Sequence, residues 1–286
     1  MRRKVKIIMG PTASGKSKMA LRYGGTIINA DSQQVYSDIP IVTSQPTEMD
    51  KSLAKHELYG FLKHNEQINA AKWCEMAAKI VEKSIEDEKI PVIVGGTGMY
   101  IKCLTEGISK LPVVPKEVRK EVSDLASTNY EKLCEIVYKN DESLRKTITS
   151  DKHRQMVRAY EILLTSGKSI GFFFAQPKIQ FLKDIECETT IIKVERQELY
   201  KRINERCEKM LKNGAIEEVK SLLRKTDQRR DYPIFKAIGV SEICSYIDEK
   251  STLEETFEKV SRNTRRYAKR QITWIHGMKL YNPSPI

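Results

Sequence analysis

Val5-Lys-Ile-Ile-Met-Gly-Pro-Thr-Ala-Ser-Gly-Lys-Ser17 decides the fold. Its first five residues are too short for a helix and almost continuously apolar. Strands buried on both faces of a parallel sheet read this way. Gly10, Pro11, Thr12, Ala13, Ser14, Gly15, Lys16 and Ser17 follow. They match G-x-x-x-x-G-K-[ST] at each fixed position. A helical pattern, Lys18–Tyr23, comes next, so the strand–loop–helix context that the motif requires is present. The physics is anion capture. Glycines let successive backbone N–H groups face inward, and the helix N-terminus adds partial positive charge. Lys16 supplies a full charge and Ser17 a hydroxyl for Mg²⁺. The loop specifies phosphate or diphosphate, not the molecule that carries it.

Outward from this unit, three more strand-sized runs occur at Thr26–Asn29, Ile90–Val94 and Thr190–Glu195. Helical patterns separate them, as crossovers in a parallel sheet require. Ala70–Glu86 is one, with Trp73, Met76, Ala77, Ile80, Val81 and Ile85 at 3–4 spacing. Residues 112–188 read as helices, apart from an irregular stretch at Gly171–Lys183, and Pro112 and Pro115 punctuate the entry. After the fourth run, a helix over Leu199–Leu211 stops at Asn213-Gly214. A second passes through Ile216, Val219, Leu222 and Leu223, and a basic helix spans about 252–276. The expected class is α/β: a P-loop NTPase-like parallel sheet flanked by helices, with a helical insertion domain. Residues 1–111 and 189–286 would form the core, and 112–188 the insertion.

Composition narrows the function classes. The 286 residues are 40% hydrophobic and 31% charged, which excludes a disordered or fibrous chain. No apolar run approaches the ~20 residues of a membrane span. The basic N-terminus has too short an apolar stretch for a secretory signal, so a cytoplasmic address is expected. Six cysteines form no CxxC pair and do not cluster with the four histidines; free thiols are expected rather than a zinc site. Net charge is +12, and residues 191–286 carry 21 basic against 14 acidic groups. A polyanion would dock there, or the surface is simply basic.

Other segments carry chemistry. Asp31-Ser32-Gln33-Gln34-Val-Tyr36 follows the second strand, where open α/β sheets place their sites. Asp31 could ligate Mg²⁺, act as a general base near a bound phosphate, or cap a helix. Gly95-Gly-Thr97-Gly-Met-Tyr100 follows the third strand; its glycines would permit close approach of a ligand, or form a tight turn. Three strand ends thereby converge on one crevice. Arg202 and Arg206 lie four apart on one helix face. They could clamp a diphosphate, or pair with Glu198, Glu205 or Glu208. Arg154 and Arg158 pose the same choice. Ser261–Arg270 has five basic residues and no acid, with Tyr267 inside it and Trp274 beyond; this suits RNA, or a solvated helix face.

These blocks, in this order, resemble the bacterial tRNA dimethylallyltransferase family nearly end to end. The resemblance includes Gly10–Ser17, Asp31–Tyr36, Gly95–Tyr100, Arg158–Ile162, Leu199–Arg206, Ala237–Gly239 and Thr264–Trp274. It implies transfer of the dimethylallyl group of dimethylallyl diphosphate to N6 of adenosine 37, beside the tRNA anticodon. The phosphate loop would then hold the donor's diphosphate, with Mg²⁺, rather than ATP. Asp31 matches the general base, Thr97 a further catalytic position, and Arg206 a diphosphate contact. Positions that touch the tRNA anticodon stem-loop match Asp31, Ser32, Gln33, Gln34, Thr97, Arg119, Arg154, Gln155, Arg158, Lys236 and Ser241. Donor and base would enter from opposite ends of a channel, the base flipped out.

The chemistry suits the residues. An adenine amine is a poor nucleophile, so a carboxylate must accept its proton. A diphosphate leaving group needs cationic stabilisation. Three departures stand out: Val42-Thr-Ser-Gln-Pro46 where the family reads Gly-Thr-Ala-Lys-Pro, Lys55-His-Glu-Leu58 where it reads His-His-Leu, and Gln155 where arginine is common. A P-loop kinase using ATP competes, but leaves Gly95–Tyr100 and the basic last third unexplained. A non-catalytic RNA-binding protein would be expected to lose Lys16, Ser17 and Asp31. No heptad seam argues for a dimer, so a monomer is expected.

Overall fold

The computed structural model describes residues 3–278; Met1 and Arg2, at the head of the basic N-terminus, lie outside the described residues. Five strands form one parallel sheet: β1 (Lys4–Met9), β2 (Thr26–Asn29), β3 (Lys55–Glu57), β4 (Pro91–Gly95) and β5 (Glu186–Ile191). Their order is β3-β2-β4-β1-β5. The central strands β2 and β4 are buried along their whole length, as continuous apolar runs demand.

Side-chain alternation sorts the sheet residues into two cores. Val5, Ile7, Met9, Ile28 and Ile93 face a layer containing Trp73, Ala77 and Val81 of α3 (Ala70–Glu86). Ile8, Ile27, Val92 and Val94 face Ala20 of α1 (Lys16–Leu21). A third apolar cluster joins α9 (Arg196–Met210), α10 (Ile216–Lys225), α11 (Val240–Ile247) and α12 (Leu253–Gly277). Thr252 and Glu255 close a capping box that starts α12.

The fourth expected strand is misplaced in the sequence reading. Thr190–Glu195 is not the strand; β5 runs four residues earlier. Register explains this: Ile8 pairs Thr190 and Met9 pairs Ile191. The Ile192 N–H makes the last bond, to the Met9 carbonyl at 2.8 Å; beyond Met9 the first strand becomes the phosphate loop, so Lys193–Glu195 have no ladder to join. The strand β3 escapes a hydrophobic reading because its three residues are polar and lie at the sheet edge. Asn213 and Gly214 do interrupt the helix after Met210, with Gly214 at φ 101°, a value glycine tolerates.

The chain divides into two compact units, one of 1–105 with 181–286 and one of 106–180. The sequence reading set the divisions at 111/112 and 188/189. The second unit contains α5 (Lys116–Thr128), α6 (Tyr130–Asn140), α7 (His153–Ser166) and α8 (Ile170–Phe174) around Val122, Leu133, Met156 and Ile162. α8 corrects the expectation of irregular chain from Gly171: Ser169 caps it by accepting from the Phe172 N–H. No helix among the described residues is long and apolar enough to cross a membrane.

Candidate active site

The phosphate loop joins β1 to α1, with Ala13 and Gly15 at positive φ (62° and 89°). Thr12, Ser14 and Lys16 are buried. The Lys16 ammonium donates to the Pro11 carbonyl at 3.1 Å. Burial pulls its pKa down to about 8, with Arg206 acting the same way and Asp31 opposing. Ser14 Oγ is buried with no hydrogen-bond partner. A buried cation and an orphaned hydroxyl in one loop are what an anion site looks like before its anion arrives.

Asp31 stands just past β2, 5% exposed. Asn29 holds the turn, accepting from the Asp31 N–H at 2.8 Å and donating to the Asp31 carbonyl at 3.0 Å. Asp31 Oδ1 accepts from the Gln33 N–H (3.0 Å) and from the Tyr267 hydroxyl (2.9 Å). The phosphate loop, Asp31, Arg206 and Tyr267 line one cavity, which the apolar side chains of Val42, Met210, Ile238 and Val260 also border. A second cavity lies among Ser32, Tyr36, Tyr100 and Lys236. Gln33 borders both.

The two arginines of α9 part company. Arg206 donates to Thr12 Oγ1 at 2.6 Å and reaches the phosphate loop, whereas Arg202 is spent on Glu198 at 2.7 Å. The pairing alternative therefore holds for Arg202 alone. Thr97 lines neither cavity; its Oγ1 accepts from the Ser32 N–H at 2.9 Å and braces the Asp31 loop. Gln33 Oε1 accepts from the Ile238 N–H, and Gln34 Nε2 donates to the carbonyls of Thr43 and Ser44. Lys236 is exposed at the second cavity, and Ser241 donates to Glu242. In the second unit, Arg119, Arg154 and Gln155 are exposed, and Arg158 pairs with Glu161 at 2.8 Å.

The glycines of Gly95–Tyr100 are filled by protein rather than left open for a ligand. A Cβ at Gly95 would overlap the Ala30 backbone, one at Gly96 the Gln271 amide, and one at Gly98 would lie 2.9 Å from the Trp274 ring.

A family model described as IPP transferase matches residues 34–278. The chain belongs to this family. The tRNA dimethylallyltransferase of Rickettsia canadensis (strain McKiel) is 37% identical over 280 residues, 96% of this chain and 86% of its own. That of Pelagibacter ubique (strain HTCC1062) is 37% identical over 276 residues, 95% and 88% of the two chains. Among solved structures, a eukaryotic dimethylallyltransferase caught acting on tRNA superposes with TM-score 0.80 at 27% identity, covering 96% of this chain and 70% of its own. The full-length tRNA isopentenylpyrophosphate transferase of Bacillus halodurans gives 0.66 at 29% identity, covering 97% and 88%.

In this IPP transferase, Tyr267 fits neither reading of its basic segment, RNA contact or solvated helix face; the structure turns it inward onto Asp31. Sequence reasoning also passed over Gln271, whose Oε1 accepts from the Thr12 N–H at 2.8 Å and so ties α12 to the phosphate loop. A signal for both existed. Val260, Thr264, Ala268, Gln271 and Ile275 are buried at helical spacing on α12, and Arg262, Arg266, Lys269 and Arg270 point outward. The basic segment is one face of a two-faced helix. The altered loop Val42–Pro46 is also used internally: Gln45 Nε2 donates to the Tyr36 carbonyl at 2.8 Å, and Glu218 accepts from the N–H groups of Ile41 and Val42.

Proposed function

We propose that this chain is a tRNA dimethylallyltransferase. It moves the dimethylallyl group of dimethylallyl diphosphate to N6 of adenosine 37 in tRNA and releases diphosphate. One observation carries this reading: a single cavity is lined by the phosphate loop, by Arg206, by the apolar side chains of Val42, Met210 and Val260, and by Asp31. The diphosphate sits on Lys16, Arg206 and the loop amides, and the five-carbon chain lies against Val42, Met210 and Val260. The adenine approaches from the second cavity. N6 attacks the allylic carbon, the C–O bond breaks, and the electron pair leaves with the diphosphate. Asp31 takes the N6 proton. Thr97 acts by bracing the Asp31 loop.

The residues fit Mg²⁺. Ser17 is exposed at the cavity with its hydroxyl free of hydrogen bonds among the described residues, and hydroxyl plus phosphate oxygens are the hard donors that this ion takes. Bound through Ser17, Mg²⁺ would neutralise charge on the leaving group. Arg119, Arg154, Gln155, Arg158, Lys236 and Ser241 are assigned to the anticodon stem-loop. The enzyme works in the cytoplasm as a monomer. An ATP-dependent kinase is disfavoured, since that class does not account for membership in the IPP transferase family.

The test uses purified protein, Mg²⁺, labelled dimethylallyl diphosphate and unmodified tRNA, with labelled ATP in a parallel tube. Label moves to tRNA and ATP stays intact. ATP consumption with no label on tRNA would overturn the reading in favour of a kinase.

A further inference from the structure

Asp31 is nearly sealed from solvent, and its two oxygens are not equivalent. Oδ1 is occupied by two donors, the Gln33 N–H at 3.0 Å and the Tyr267 hydroxyl at 2.9 Å. Oδ2 accepts no hydrogen bond among the described residues. The backbone donor comes from the same turn as Asp31. The hydroxyl comes from α12, 236 residues later in the chain. A turn alone lets the carboxyl group rotate about its Cβ–Cγ bond, a broad torsion for an aspartate. The second donor, arriving from a separate helix, selects one rotation and leaves Oδ2 as the only oxygen able to receive a proton.

Tyr267 is itself held. Ala268 and Gln271 beside it are buried, the Gln271 side chain is tied to the phosphate loop, and the Arg270 guanidinium lies 5.6 Å from the tyrosine ring centroid. Burial, with Asp31 nearby, pushes the Tyr267 pKa far up, so the hydroxyl remains a donor at any working pH. Thr97 and Ser32 also act on this hydroxyl. Lys16, Arg206, Tyr59 and Tyr100 all feel the Asp31 charge. None of them hydrogen-bonds its carboxylate, so Tyr267 is the only side chain that orients it among the described residues.

We infer that Tyr267 is a positioning residue for proton abstraction: it fixes the Asp31 carboxylate with Oδ2 facing the incoming amine. The inference rests on the reading of Asp31 as the base. In the step, the C–N bond forms as the allylic C–O bond breaks, the proton passes from N6 to Oδ2, and Oδ1 keeps its bond from Tyr267. Because the same helix also holds the Thr12 N–H through Gln271, α12 sets the base and the leaving-group cradle in one frame.

The test is a double-mutant cycle on the full chain in single turnover, with labelled dimethylallyl diphosphate and unmodified tRNA. Variants are Tyr267→Phe, Asp31→Asn and the pair; substrate KM values and thermal midpoints are measured alongside. Tyr267→Phe keeps the ring and removes only the hydroxyl. The expected result is a rate constant lowered about 10- to 100-fold, as for loss of a hydrogen bond to a charged group, with both KM values within about twofold. In the Asp31→Asn background the same change should cost almost nothing, since the two act through one group. A Tyr267→Phe enzyme at wild-type rate, or a loss that multiplies with that of Asp31→Asn, would overturn the inference while leaving the base intact. Wild-type turnover by Asp31→Asn would instead remove the base reading, and the inference with it.

Discussion

Gly10–Ser17 and Gly95–Tyr100 look alike in sequence: each is a glycine-rich turn from a buried strand into a helix. Gly10 is short of space, since a Cβ there would fall 2.7 Å from Ser14 Oγ, but Gly15 does the opposite work from Gly96 and Gly98. Gly15 has nothing within 4 Å of where a Cβ would stand, and is needed for its φ of 89°. Gly96 and Gly98 are needed for space, because Gln271 and Trp274 of α12 occupy it. The first loop leaves the space at Gly15 open; the other is a seat for a helix. Glycine spacing alone cannot separate these uses. What separates them is whether another part of the chain fills the vacancy.

The comparison can be broken by adding single methyl groups. Of the two glycines that face α12, Gly96→Ala should be the more damaging, costing about 1–3 kcal/mol as an overpacked contact. Shortening the neighbour with Gln271→Ala should recover much of that loss, and urea unfolding of the two variants checks it. If Gln271→Ala gives no rescue, α12 is not what Gly96 accommodates.

A second test concerns the charge stored in the open loop. With donor and metal withheld, Lys16 binds a proton less readily folded (about 8) than unfolded (10.5). Between those values the unfolded chain holds more protons, so stability should rise with pH by up to about 1.4 kcal/mol per unit. A Lys16→Met variant should lack the rise, and inorganic diphosphate should flatten it in the wild type. Thermal melts from pH 7.5 to 10 measure both.

Gly15→Ala should have the smallest effect on folding, about 1 kcal/mol, from backbone strain alone. No shortening of a neighbour should relieve it, because no neighbour is there. Relief by any such change would erase the contrast between the two loops.

How much of this was legible depends on how far apart the cooperating residues lie. The phosphate loop and Asp31 are local patterns beside strands, and both were readable. Ala70–Glu86 was readable to the residue, because a strong 3–4 apolar stripe runs its length. β5 was misread because a strand ends where its partner ends, and Met9 does not announce that at Ile191. The role of Tyr267 was hidden for a related reason. Its partner is fixed only when α12 docks, so five neighbouring basic residues dominated the reading. The uncharged stripe through Thr264 and Gln271 was the better guide to which side of the helix faced the site. Arg202 and Arg206 were indistinguishable on a helical wheel; a glutamate four residues back captured one and the phosphate loop the other.

The central claim is that Asp31 takes the proton while the phosphate loop takes the diphosphate. Rapid-quench single turnover of Asp31→Asn, with donor and tRNA affinities measured separately, tests it most directly. The chemical step should slow about 10²- to 10⁴-fold, with both affinities within a few-fold of wild type. An unchanged chemical step, or a loss confined to donor binding, would contradict it.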